Sequence, residues 1–230
     1  MRFSPLGDRA VLITLGDSID EATHRRVRAV TARIDAAPPL GFVDRVPAFA
    51  SVAVHYEPML VDGGDGRSPH ETFVTTLQHL LADVRDDALP PPRTIDIPVC
   101  YGGELGPDLE DVARQHDINA REVIDIHAAG EYLVYMVGFM PGFAYLGGLS
   151  SRIATPRRPT PRTAVPAGSV GIGGEQTGVY PLTSPGGWNL IGRTPLRIFD
   201  IARAEPALLV TGDRVRFRPL SIDEFRAWPA

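Results

Sequence analysis

Three arginines and three prolines share nine consecutive positions, TPRRPTPRT at 155–163. A guanidinium group presents paired N–H donors that match a carboxylate or a phosphate, so Arg157, Arg158 and Arg162 are candidates for anion recognition. Proline fixes φ and removes the amide donor, which excludes a helix interior or a central strand and leaves a stiff, extended arm. At roughly 3.3 Å per residue, Arg158 and Arg162 fall on one side of such an arm, about 13 Å apart, and Arg157 faces away. Groups so separated cannot grip one carboxylate together. Either the arm bends, or the two hold different anions, or one is structural. A solvated loop whose charges confer solubility is the competing reading.

A second stretch, GFMPGFAYLGG at 138–148, combines turn-forming glycines with aromatic surface. Gly138, Phe139, Pro141, Gly142, Phe143 and Tyr145 form either the wall of a small-molecule pocket in which backbone approaches the ligand, or a packed corner of a barrel. In SPGGWNLIGRTP, 184–195, Trp188, Asn189 and Arg193 sit beside tight turns and admit the same two readings. His127 lies near the end of an expected helix, four residues after Val123, where the helix dipole favours its protonated form. It is placed to act as a general acid or base, or else to be a satisfied core residue. Cys100, the only cysteine, ends the strand-like IDIPVC and reads as a buried thiol rather than a nucleophile.

All the basic residues are arginines, so neither a lysine-bearing phosphate loop nor a lysine Schiff base is possible. No HExxH or Cys/His cluster suggests a metal. GIGGEQTG at 171–178 has the glycines of a dinucleotide loop, but no helical pattern follows it.

The elements that must position these residues fall into two halves. AVLITLG at 10–16 predicts a strand, and Ser18 and Glu21 have capping-box spacing ahead of a helix over about 18–36 carrying Val27, Val30 and Ile34. AFASVAVHYEP predicts a strand with its partner in GFVDRVP. Ser68, Pro69 and Glu71 start a second helix with Phe73, Leu77, Leu80, Leu81 and Val84 on one stripe. Strands and helices in this order predict a small α+β sheet with both helices on one face, ferredoxin-like in outline. The prolines of DDALPPPRT, 86–94, mark the boundary, giving domains 1–88 and 89–230. Beyond it come the strand IDIPVCY, a short helix begun at Pro107, a helix boxed by Asn119 and Glu122 and stopped at Gly130, and the apolar strand YLVYMVGF. The runs SVGIGG, GVYPL, WNLIGR, LRIF and DRVRFRP, separated by turn residues, predict a β-barrel.

Bulk properties are those of a globular chain: 230 residues, 43% hydrophobic, 22% charged. A net charge of −5 disfavours non-specific nucleic-acid binding. One cysteine, no signal-like N-terminus and no run of about 18 apolar residues lead to the expectation of a cytoplasmic protein with no membrane association.

PLGDRAVLI, IPVCYGG, EVIDIHAAGEYLVYMVGFMPGFAYLGGL and the string from TPRRPTPRT to GRTPL together resemble the allophanate hydrolase subunit 1 (KipI) family, from near residue 5 to about 200, and most closely its 5-oxoprolinase branch, PxpB. The resemblance implies a cyclophilin-like β-barrel in the second half. It implies a subunit of an ATP-dependent enzyme that opens the lactam of 5-oxo-L-proline to L-glutamate, with ATP and Mg²⁺ as co-substrate and no bound organic cofactor. A companion subunit 2 (PxpC/KipA-like) and a PxpA-like subunit are its implied partners, and the isolated chain is expected to be inactive. Under that reading His127 serves proton transfer, Arg162 catalysis, and Arg157, Arg158 and Arg193 anion recognition, while Gln176, Tyr180, Trp188 and Asn189 orient the substrate. Other members of the family inhibit a sensor histidine kinase or form part of allophanate- and urea-metabolising enzymes, and these remain the alternatives.

Overall fold

The computed structural model describes residues 1–63, 66–85, 89 and 91–229. It divides into two units, Met1–Pro91 and Pro92–Ala230. The sequence boundary at 88/89 falls on residues outside that description in part, since 86–88 and 90 are not among them.

In the first unit β1 (Arg2–Pro5), β2 (Ala10–Thr14), β3 (Phe42–Pro47) and β4 (Ser51–Tyr56) form an antiparallel sheet in the order β1-β2-β4-β3. Helices α1 (Glu21–Ala36) and α2 (Pro69–Leu81) follow β2 and β4. Val27, Val30 and Ile34 of α1 and Phe73, Leu77 and Leu81 of α2 share one core with Val11, Ile13, Val52 and Val54, so both helices cover the same face. Each such side chain contributes about 1.5–3 kcal/mol on burial. β4 lies between β2 and β3, as in a split βαβ unit. The edge strand beside β2, however, comes from the start of the chain rather than after α2, so the chain order is ββαββα and departs from the expected ferredoxin outline. Short β1, ending in a proline, gave no period-2 signal. The Ser68–Glu71 capping box forms in full, with Pro69 in the first turn. The start of α1 differs from expectation: Asp20 is the N-cap, and its carboxylate accepts from the backbone N–H of Thr23 while Ser18 donates to it.

The second unit is built on the strands β5 (Thr94–Tyr101), β6 (Tyr132–Val137), β7 (Ala144–Gly147), β8 (Arg162–Val165), β9 (Ser169–Gly173), β10 (Gln176–Val179), β11 (Ser184–Gly186), β12 (Asn189–Arg193) and β13 (Arg214–Pro219). Seven of them close into a barrel in the order β10-β7-β6-β13-β5-β12-β9, while β8 and β11 form a separate two-stranded sheet. Within the barrel β5 and β13 pair in parallel, and the Arg93 guanidinium fixes the start of that pairing by a two-point contact with Asp213. α3 (Leu109–Gln115), α4 (Ala120–Ala129) and α5 (Ile222–Arg226) complete the unit, with the Asn119–Glu122 box at the head of α4. LRIF makes no strand and contributes one bridge, Phe199 to Ala207. No helix among the described residues is long and apolar enough to cross a membrane.

His127, expected in proton transfer, is instead a pin in the barrel core. It is 0% exposed and stacks on Phe217 of β13 with ring centroids 4.5 Å apart. Its Nδ1 lies 2.8 Å from the Tyr101 hydroxyl and its Nε2 2.9 Å from Thr177 Oγ1. Thr177 spends its proton on the Gly171 carbonyl, so Nε2–H is the donor to Thr177 and Nδ1 accepts from Tyr101. Both nitrogens are satisfied, no solvent reaches the ring, and burial pushes its pKa down to about 3. The helix dipole that favours a charged histidine is outweighed by desolvation.

His24 in α1 is lowered too, to about 4, by burial and then by Arg28. Both values lie below the roughly 6.5 of an unfolded histidine, so the stabilisation is complete above pH 6.5 and is lost as the pH falls toward 4 for His24 and toward 3 for His127. Urea unfolding between pH 6.5 and 5 should show stability dropping by up to about 1.4 kcal/mol per pH unit for each of the two histidines. The variant His127→Gln should lose roughly half of that slope.

Candidate functional site

The arm is bent and anchored. A bend at 159–160 turns it between Arg158 and Arg162. Thr155 O accepts from Gly174 N, Asn189 Nδ2 donates to Pro156 O at 2.8 Å and Ile172 O at 3.2 Å, and Arg158 N donates to Gly187 O at 2.7 Å. Asn189 is thus a strut that ties the arm to β9.

Because of the bend, Arg158 and Arg162 do grip one carboxylate, contrary to the separation expected of a straight arm. Arg158 Nη1 and Arg162 Nη2 each donate to Asp108 Oδ1 at 2.8 Å, while Asp108 Oδ2 accepts from Leu190 N at 2.7 Å. Asp108, the N-cap of α3, is buried, with 3% of its side chain exposed. Sequence reading missed it: an acid after Pro107 at a helix start looks like ordinary capping chemistry, and only its nearness to three glycines hinted at a tighter role. Two donor atoms of this cluster, Arg158 Nε and Arg162 Nη1, are buried and have no hydrogen-bond partner among the described residues.

Beside the pair is a cavity of about 330 Å³ lined by Phe139, Phe143, Tyr145, Arg157, Arg158, Pro161, Tyr180, Pro185, Gly186, Gly187 and Trp188. Its described lining contains arginines and no acid. Arg157 lies with Cζ 6.0 Å from the centroid of the Trp188 ring, within cation–π range. Phe143, Tyr145, Tyr180 and Trp188 pack edge to face. Burial raises the Tyr180 phenol pKa, so it stays a neutral hydroxyl. Phe139 stands at the cavity with its backbone at φ 70, a conformation unusual for a non-glycine residue, and is 66% exposed as a residue.

The glycines of GIGGEQTG make room for the indole. A Cβ added at Gly173 would fall 2.5 Å from Trp188 Nε1, and at Gly171 and Gly178 it would come to 3.2 Å and 3.1 Å from Trp188 atoms. The motif is a β-hairpin turned at Gly174, φ 67.

The structure does not bring all the expected residues to the cavity. Gln176 opens β10 opposite Gly173 and is not in the lining. Arg193 donates from Nε to Ala167 O at 2.8 Å and braces a loop. Gly138, Pro141 and Gly142 shape the turn behind the wall: Gly138 N donates to Phe143 O, and Gly142, at φ 78, lies against Phe199. Cys100 is buried with its thiol pKa raised by burial, as befits an unreactive sulfur.

The family described as carboxyltransferase domain, subdomain C and D, matches residues 1–209. The B subunit of 5-oxoprolinase from Bacillus subtilis (strain 168) is 47% identical over 228 residues, covering 97% of this chain and 94% of that protein. The protein of the same name from Escherichia coli O157:H7 is 41% identical, covering 93% of this chain and 94% of its own length. Among solved structures, TTHA0988 superposes with a TM-score of 0.79 at 36% identity over 93% of this chain, which spans only 40% of that longer one.

Asp108→Asn should destabilise the second unit by about 1–3 kcal/mol in a thermal or urea melt, since it leaves two partly exposed guanidinium groups without their counter-ion. Gly173→Ala, by driving a methyl into the indole, should cost a similar ~1–3 kcal/mol and alter the Trp188 emission spectrum.

Proposed function

This chain belongs to the family of carboxyltransferase domains, subdomains C and D, and we propose that it works as the B subunit of an ATP-dependent 5-oxoprolinase. The observation that carries this is the 47% identity, over nearly the full length of both chains, to a protein named as the B subunit of 5-oxoprolinase. The geometry supports it through a cationic, aromatic-walled cavity with no acid in its described lining. The reaction is the opening of the five-membered lactam of 5-oxo-L-proline to L-glutamate. A lactam is a resonance-stabilised amide, and ATP, with Mg²⁺, supplies the phosphoryl group that makes its carbonyl carbon open to water.

The side chains present fit anion handling. Arg157, Arg158 and Arg162 provide cations that match either a substrate carboxylate or a phosphate. Tyr180 and Trp188 shape and seat that cluster, and Asn189 orients the arm. With no lysine in the chain, a lysine-bearing phosphate loop is impossible here, which favours nucleotide binding completed by companion subunits. We therefore read the chain as a cytoplasmic member of a hetero-oligomer with a subunit 2 and a third, PxpA-like subunit, and as inactive alone.

Co-production with those companions should yield a complex that releases glutamate from 5-oxoproline while consuming ATP, and this chain alone should release none. An assembled complex that turns over no 5-oxoproline would sink the reading. Tight binding to a histidine kinase dimerisation domain, in place of turnover, would favour the inhibitor alternative.

A further inference from the structure

The cavity beside the arm has two arginines, Arg157 and Arg158, and no acid in its described lining. Asp108 takes one N–H from each guanidinium group of Arg158 and Arg162, and Arg158, whose side chain is 34% exposed, keeps further donors at the cavity wall. Arg158 lines the cavity, and Arg162 is near enough to Tyr180 to act on its phenol electrostatically. A guanidinium group with free donors at an apolar wall suits an anion that supplies the acceptor.

The charges say how much anion the cluster takes. Two guanidinium groups against one carboxylate leave one net positive charge and Arg157 brings the total to two, enough for a carboxylate and well short of a polyphosphate. A polyphosphate carries several charges, and the lining adds only Arg157, whose guanidinium is placed over the Trp188 ring. The rest of the wall is flat and apolar: Phe139, Phe143, Tyr145 and Trp188. At about 330 Å³ the space is at the small end of ligand sites, which span roughly 300–1,000 Å³.

We propose that this cavity binds a small ring bearing one carboxylate, held through the carboxylate by Arg158 with the ring against the aromatic wall, and that it is not the nucleotide site. The inference rests on the proposed function, which makes 5-oxo-L-proline the ring carboxylate concerned.

The test is calorimetric titration of the chain co-purified with its companion subunits, without ATP, so that no turnover occurs. The probes are 5-oxo-L-proline, L-proline, 2-furoate, 2-pyrrolidinone (the lactam without its carboxylate) and inorganic phosphate. Binding of 5-oxoproline, with 2-pyrrolidinone about 10–100-fold weaker, is expected from the loss of one charge-assisted contact. Arg158→Met should weaken 5-oxoproline by a comparable ~10–100-fold and leave 2-pyrrolidinone unchanged. Arg157→Ala removes an arginine that makes no contact with Asp108, and serves as a check should Arg158→Met not fold; it should weaken ring carboxylates by a smaller factor. Equal affinity for 5-oxoproline and 2-pyrrolidinone, displacement of 5-oxoproline by phosphate, or no binding of any ring carboxylate overturns the proposal. Undiminished binding by Arg158→Met in a complex that still releases glutamate overturns the pocket and spares the function. Binding of ring carboxylates by a complex that releases no glutamate does the reverse.

Discussion

One buried carboxylate organises the site. Asp108 is separated by 50 and 54 positions from the two arginines it holds, and its second oxygen accepts the amide of Leu190 in β12. The loop that carries it is itself fixed on β12: Asp108 N donates to Leu190 O and Gly102 N to Ile191 O, and Gly106 lies so close that a Cβ there would fall 2.1 Å from Ile191 O. A glycine and a backbone ladder thus fix the position of Asp108 independently of the arm. The arm bends so that both guanidinium groups meet the carboxylate. Pairing of this sort does little for net stability compared with an apolar replacement, but a broken pair is costly, so the cluster fixes the geometry of the arm more than it strengthens the fold.

What the sequence made legible followed from distance along the chain. The boxes at Ser68–Glu71 and Asn119–Glu122 join residues three apart, and both form as read. The start of α1 was misread within the same range, because Asp20 competes with Ser18 and its carboxylate takes both the amide and the hydroxyl of Thr23. The arm's arginines were legible as candidates for anion recognition, yet their geometry was not: a straight strand separates Arg158 from Arg162, and only an acid fifty residues earlier explains the bend. His127 shows the same limit. Its place on an apolar helical face was clear, but the partners that make it a neutral core residue, Tyr101 and Thr177, come from β5 and β10, and no local pattern announces them.

The glycines between 171 and 178 show the same dependence on distant partners most fully. Read as a string they are the glycines of a dinucleotide loop without the helix that should follow it. Read in three dimensions, their missing side chains are the volume that Trp188 occupies. The indole in turn seats Arg157 and closes the aromatic wall with Phe143 and Tyr180. Small residues on two barrel strands therefore determine where a cation stands on the arm. The prolines complete the device, since an arm already tied at Thr155, Pro156 and Arg158 loses little further freedom when an anion arrives. Asp108 lowers the net charge of the cluster and with it the long-range pull on anions. In exchange it holds two guanidinium groups in fixed orientation, so the donor geometry of the cluster is set by the fold itself.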